Sequence, residues 1–186
     1  MGFLKNLFKK DTRSKIDDEA VNKSFEAFNK LMDMDLKDIF TLEDENKFVT
    51  AMNGYLGKKS DYGDNLEVLS ECEKIFYTTD IFEGEINNGG FEQYIYNSSG
   101  QTANEIIAAL NAIGAEQIAE IYQKIFDIFG CEIPAEQEER EEWFDEKLDD
   151  MLGELIEQCD SDYYNLSLDT DKLKYNYAMK NKEYFS

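Results

Sequence analysis

The sequence contains no histidine at all. Histidine is the usual general base beside serine and cysteine nucleophiles and the commonest metal ligand, so its absence leaves those enzyme classes and metal sites without support. Cys72, Cys131 and Cys159 are odd in number and too widely spaced for a disulfide framework or a zinc motif. The residues therefore predict a protein that is not an enzyme and that uses neither a metal nor a cofactor.

Other structural signals are also scarce. The chain has one proline, Pro134, and 11 glycines, whereas an all-β domain of 186 residues would need many more turns. No run of eighteen apolar residues predicts a membrane span, and the N-terminus lacks the apolar stretch and cleavage pattern of a signal peptide. We therefore expect a cytoplasmic protein with few interruptions to its helices.

Apolar residues recur every three or four positions along most of the chain, which is the spacing of amphipathic helices. Thr41 to Asp44 has the form of a capping box and predicts a helix start, and Gly57 predicts that helix's end. The expected fold is all-α: a single-domain multi-helix bundle of about eight helices. The predicted helices cover residues 17–34, 41–57, 64–82, 91–97, 102–113, 115–129, 134–160 and 169–180.

Acidic residues outnumber basic ones by 41 to 19, a net charge of −22. Five of the bases lie in residues 1–15 beside one acid, so residues 16–186 carry 14 bases and 40 acids, a net charge of −26. This divides the chain into a basic N-terminal segment and an acidic helical domain. Such a domain repels nucleic acid and attracts basic proteins. We expect no direct binding to nucleic acid; the alternative is that the charge only maintains solubility.

The N-terminal segment is amphipathic, because helical spacing groups four apolar residues on one side and places the lysines elsewhere. The apolar residues are Phe3, Leu4, Leu7 and Phe8. Three alternatives remain open: contact with a membrane surface through residues 3–10, a free tail, and a strip that packs on the acidic domain.

The acidity is greatest between Glu132 and Asp162, where fourteen acids accompany only two bases, Arg140 and Lys147. Apolar residues from Phe144 to Cys159 predict one long helix with a buried seam. At a rise of about 1.5 Å per residue, this helix would carry roughly one net negative charge per 4 Å, against about 3.4 Å for a DNA strand. Trp143 either anchors a partner or covers another helix. The predicted partner-binding residues are Glu138, Glu139, Glu142, Trp143, Glu146, Asp149, Asp150 and Glu157.

A second candidate lies around the pair of glycines near the middle of the chain. Gln93 and Asn97 are one helical turn apart, and Asn87 and Asn88 directly precede the glycines, so we expect several amides to converge. Amides position backbone or ligand but do not transfer protons at neutral pH. A buried network that fixes the turn and a small-ligand or hydrolytic site are both compatible with this motif, which comprises Asn87, Asn88, Gly89, Gly90, Phe91, Gln93, Tyr94 and Asn97.

This motif, followed by residues 109–115, resembles a bacterial family of small helical proteins, a domain of unknown function named after a DNA-mimic protein. Weaker similarity at Arg140, 162–164 and 173–185 extends the resemblance over about residues 65–186. It implies an all-helical fold and, for an acidic member, a carboxylate surface that imitates DNA phosphates and occupies a transcription factor's DNA-binding face. The motif would define the fold rather than the mimicry.

The sequence thus favours an acidic interaction protein, a double-stranded DNA mimic that sequesters a basic DNA-binding protein such as a transcription factor. Two alternatives remain: a small-ligand-binding or hydrolytic protein acting through the amide motif, and a toxin-neutralising inhibitor with a basic target. Monomer and homodimer are equally compatible with the sequence.

Overall fold

The computed structural model of the protein describes residues 18–130 and 132–186. This part contains nine α-helices, eight of them with at least seven residues, and no strands, which confirms the predicted all-α bundle. The predictions for the basic segment 1–15, membrane contact included, lie outside the described residues. In the described part, no helix is long and apolar enough to cross a membrane. The helices are α1 Asp18–Met32, α2 Leu36–Ile39, α3 Glu45–Lys59, α4 Glu71–Tyr96, α5 Ile106–Ile113, α6 Glu116–Phe129, α7 Gln137–Lys147, α8 Asp150–Tyr164 and α9 Thr170–Lys180.

Two clusters of buried side chains form along α4, the longest helix. Its first turns contribute Phe76 and Tyr77 to a core shared with α3 and the C-terminal residues. From Phe82 onward it contributes to the larger core, which α5, α6 and α8 complete around the ring of Tyr122. Because α4 belongs to both clusters, it fixes the position of the N-terminal helices relative to the rest.

Helix α1 carries the predicted apolar periodicity, but part of that face is not covered. Phe25 and Phe28 are 63% and 49% exposed. The helix approaches α3 at Gly54, where an added Cβ would lie 2.9 Å from the Cα of Met32. The contact with α3 is therefore close at the end of α1 and leaves the two phenylalanines outside the core.

The predicted start and end of the second long helix are wrong. Helix α3 begins at Glu45, because the Asp44 side chain accepts a hydrogen bond from the Lys47 backbone N–H (3.0 Å) and caps the helix itself. Thr41 instead donates to the carbonyl of Asp38 at the end of α2. Gly57 does not end α3; it lies buried within the helix, packed near Tyr77.

The capping box occurs at the start of α4. The Ser70 hydroxyl accepts from the Glu73 N–H (3.2 Å), and the Glu73 carboxylate accepts from the Ser70 N–H (2.8 Å). Glu73 is fully buried and also accepts from Lys59 (2.8 Å) and from the Ser186 N–H (2.9 Å). One carboxylate thus caps α4 and holds the C-terminal residues against it.

The predicted break around residues 85–91 occurs at the two glycines only. Residues 85–88 remain helical, and α4 kinks at Gly89 and Gly90. Gly90 has a φ of +80°, and a Cβ there would lie 2.4 Å from a carboxylate oxygen of Asp160 on α8. That carboxylate accepts from the Phe91 N–H (2.9 Å), so α8 caps the second half of α4.

The single long helix predicted over 134–160 is wrong. It is divided into α7 and α8, because the Asp149 side chain accepts from the Leu152 N–H (2.8 Å) and starts a new helix. The predicted seam fails in its middle, where Leu148 and Met151 are 38% and 64% exposed. At its two ends Phe144 and Cys159 are buried, as predicted. Pro134, expected in the first helical turn, lies before α7, whose cap is Glu136.

Candidate functional site

The seven predicted partner-binding carboxylates are all exposed. We call them the acidic ridge: Glu138, Glu139, Glu142, Glu146, Asp149, Asp150 and Glu157. Because the predicted helix breaks after Lys147, six of them lie on α7 and α8, and Asp149 caps α8. The two helices have 11 and 15 residues, about 16 and 22 Å at 1.5 Å per residue. Asp145 and Glu154, not among the predicted contacts, are exposed on the same two helices. Among the ion pairs between described residues, none uses a ridge carboxylate.

Arg140, one of the two bases of the acidic segment, does not neutralise the ridge. Its side chain is fully buried, and its guanidinium donates to four backbone carbonyls rather than to a carboxylate. Gly100 leaves the space for it, since a Cβ there would lie 2.6 Å from Nε. Arg140 therefore forms no hydrogen bond or ion pair with a ridge carboxylate. The acceptors are Ile95 (2.6 Å), Asn97 (2.6 Å), Ala135 (2.7 Å) and Pro134 (3.0 Å).

Trp143 is half-buried and packs on Phe129 of α6, with the ring centroids 4.6 Å apart. Of the two predicted roles, the structure therefore places it over a neighbouring helix. The exposed apolar side chains beside the ridge are Leu148 and Met151. The sequence predicts both as buried, because a continuous helix over 134–160 would place them in its apolar seam.

A concave surface adjoins the ridge, between the kink of α4 and the start of α8, with a volume of about 510 Å³. Gly89 and Ile156 are part of its lining, and no basic residue is. Burial and the nearby Glu157 raise the pKa of Asp160, against the opposing effect of the Phe91 N–H. The kink of the glycine motif thus borders an acidic groove lined by the carboxylates of Glu92, Asp149, Asp150, Glu154, Glu157 and Asp160.

The predicted convergence of amides is found for Gln93 and Asn97, and its centre is the carboxylate of Glu85. Gln93 and Asn97 both donate to Oε2 of Glu85, at 2.6 and 2.9 Å, and the Ser99 hydroxyl donates to Oε1 at 2.9 Å. Asn87 and Asn88 lie exposed on the preceding turn. The network ties the kinked end of α4 to the following 3-10 turn, Ser98–Thr102.

The apolar members of the motif lie in the larger core. Phe91 and Tyr94 are fully buried, and the Tyr94 ring packs edge-on against Phe82, with centroids 4.7 Å apart. Its hydroxyl lies 3.0 Å from the Thr102 hydroxyl, and burial raises the pKa of Tyr94. These contacts give most of the motif a structural role.

A third group of carboxylates escaped sequence analysis. Asp80, Glu83 and Asp171 lie close enough together to hold a metal ion. The ammonium group of the buried Lys174 lies among them, paired with Asp80, with Glu83 (2.7 Å) and with Asp171 (3.5 Å). Burial lowers the pKa of Lys174, but Asp80 and Glu83 raise it by more. We call these four residues the Lys174 cluster; the protein supplies its own cation there.

Fold and surface together define the class: an all-α protein with a concentration of exposed carboxylates along two consecutive helices, α7 and α8. The family model of DMP19-like proteins matches residues 67–181. This is well over half of the chain, which therefore belongs to the DMP19-like protein family. Comparisons with curated proteins and with solved structures gave no match. The matched range contains the kink of α4 at Gly89 and Gly90, the buried Arg140 with its four carbonyl acceptors (the Arg140 anchor), and the acidic ridge. It leaves α1 to α3 outside.

Proposed function

We propose that this protein is a mimic of double-stranded DNA that binds and sequesters a basic DNA-binding protein, such as a transcription factor, in the cytoplasm. The observation that carries the proposal is the acidic ridge, a set of exposed carboxylates that form no ion pair with any residue the structure describes. The protein's membership of the DMP19-like family supports the same interpretation. Such a surface offers a basic protein the same charge that DNA phosphates offer.

The physical basis is competition for the lysine and arginine side chains of the partner. DNA-binding proteins hold the phosphate backbone mainly through these side chains, and the affinity falls steeply with salt. Carboxylates on two helices can occupy the same side chains and prevent contact with DNA. We therefore expect binding that weakens strongly as salt is added.

Leu148 and Met151 give the ridge exposed apolar surface, which DNA phosphates lack. Both are exposed between the acids of α7 and those of α8. A flexible methionine adapts to different apolar partners. We propose that these two side chains contact an apolar part of the partner beside its basic residues, and so favour a protein over other polycations.

A charge-reversal experiment tests the role of the ridge. Glu142→Lys, Glu146→Lys and Asp150→Lys are combined in one variant, and Glu43→Lys, Glu67→Lys and Glu183→Lys in a control with the same change in net charge. All six positions are exposed. Partner captured from the source cells at low salt should be lost with the ridge variant and retained with the control. Equal retention by both variants would contradict the proposal.

Competition with DNA separates mimicry from the inhibition of a basic target that does not bind DNA. The captured partner is incubated with labelled duplex DNA and increasing amounts of the protein. A DNA mimic displaces the DNA, and the ridge variant does not. A partner with no affinity for DNA would instead support the toxin-neutralising alternative.

A further inference from the structure

A separate cavity, of about 220 Å³, is lined in part by Glu85 and by Ser99, which donates a hydrogen bond to it. Its walls come from the middle of α4, from the turn after α3 and from the 3-10 turn that follows α4. None of the ridge residues lines it. The side chains that matter here are those of Tyr62, Leu66, Tyr77, Ile81, Glu85 and Ser99.

Glu85 contributes a fixed negative charge to this cavity. Both of its carboxylate oxygens are held by neutral donors, namely two amides and one hydroxyl. These hydrogen bonds orient the carboxylate without cancelling its charge. Among the described residues, no ion pair includes Glu85. The cavity therefore contains an oriented anionic group without a cationic partner in the described part of the chain.

The part of the wall that carries Tyr62 follows an unusual backbone turn. Asp61 and Tyr62 have φ values of +52° and +56°, which are disfavoured for residues other than glycine. The buried Ser60 holds this turn, because its hydroxyl accepts from the Gly63 N–H (3.2 Å). Gln101 donates to the Gly63 carbonyl (3.1 Å) and ties this wall to the turn after α4. Such strain is common where a structure clamps a ligand.

We propose that this cavity binds a small organic ammonium ion. Glu85 is its counter-ion, and the rings of Tyr62 and Tyr77 with the side chain of Ile81 enclose its apolar part. Aromatic faces attract cations, and a carboxylate rejects anions. The volume is below the roughly 300–1,000 Å³ of pockets for drug-sized ligands, so the ligand is a small amine. This proposal is independent of the acidic ridge.

Calorimetric titration of the full chain tests the proposal. The probes are n-butylamine and 2-phenylethylamine, each compared with its neutral counterpart, 1-butanol or 2-phenylethanol. Since charge-assisted hydrogen bonds are about twice as strong as neutral ones, we expect at least one amine to bind roughly tenfold or more tightly than its alcohol. Glu85→Gln should reduce this preference several-fold, with the remainder due to Asp64, which also lines the cavity. Glu92→Gln, which changes an exposed acid of α4 outside the cavity, should retain it.

Tyr62→Gly is the second variant, because Glu85→Gln also alters the amide network. Tyr62 is exposed, and glycine tolerates its positive φ, so this variant should fold at least as stably as the wild type. It should nevertheless bind the amine several-fold more weakly, which a purely structural role for the turn would not produce. No saturable binding of either amine, equal binding of amine and alcohol, or unchanged binding in both variants would each overturn the proposal.

Discussion

The Lys174 cluster and the acidic ridge use carboxylates in opposite ways. In the cluster, three acids surround the ammonium group of one lysine, whose side chain is 2% exposed. In the ridge, seven acids face solvent, and Arg140 of α7 bonds to backbone carbonyls instead. Burial makes a carboxylate depend on a cation, whereas water removes that need. We therefore expect stability to depend on the cluster and recognition to depend on the ridge.

The largest effect on stability should come from Lys174→Met. Removing the ammonium leaves Asp80, Glu83 and Asp171 close together without compensation, and breaking such a pair costs about 3–5 kcal/mol when both partners are buried. Because the acids here retain partial exposure, we expect about 3 kcal/mol. Urea denaturation measures the loss, with the exposed Lys172→Met as control. A loss no greater than in the control would remove the distinction between the two regions.

The same cluster predicts a response to alkaline pH. The pKa of Lys174 is raised above its ordinary value of 10.5 in the folded protein. A group with a raised folded pKa contributes its full stability below the unfolded pKa and loses it as the pH rises through the folded value. The difference between the wild type and Lys174→Met should thus be constant from pH 7 to 10 and shrink in stronger alkali. A difference that grows in alkali would contradict this sign.

Arg140→Met should have the next largest effect, because four backbone carbonyls lose a charged donor. Hydrogen bonds to charged groups contribute about 1.5–3 kcal/mol each and are not additive, so we expect a loss of about 2–3 kcal/mol. Lys147→Met, which changes the exposed base of the same helix, should cost less than about 0.5 kcal/mol. Urea denaturation compares the two. Similar losses would mean that Arg140 does not anchor α7.

Gly90→Ala should destabilise by about 1–3 kcal/mol, because the alanine would combine a positive φ with a clash against Asp160. Gly84→Ala provides a matched control in the same helix. A Cβ at Gly84 meets nothing within 4 Å, and alanine favours a helix over glycine by up to about 1 kcal/mol. In thermal unfolding, we expect Gly90→Ala to lower the melting temperature and Gly84→Ala to raise it. A shift in the same direction for both variants would argue against a backbone kink that requires glycine at position 90.

The smallest effect on stability should come from the ridge. Replacing Glu142 by Gln removes an exposed charge that has no ion pair with a described residue, and such changes stay within about 0.5 kcal/mol. Partner binding should weaken in the same variant. A large loss of stability in denaturation would place the ridge among the structural carboxylates and remove the basis for its recognition role.

Local patterns predicted the helical class and some helix ends, and long-range contacts account for much of what they missed. Helices α5 and α6 end at Ile113 and Phe129, as predicted, each followed by a glycine in the left-handed conformation. The division of 134–160 was missed because the periodicity continues through Leu148, while the competing signal is a single cap at Asp149. The Lys174 cluster joins residues more than ninety positions apart. A single sequence contains no signal for such a pairing.

The Arg140 anchor also explains how a surface of this kind can change over evolutionary time. Arg140 holds α7 through main-chain oxygens, which every amino acid provides. Substitutions on the outer face of α7 leave these contacts untouched, so the helix keeps its place whatever its solvent-facing side chains are. The solvent-facing residues of α7, and with them the partner that the protein binds, can therefore change while the fold stays the same.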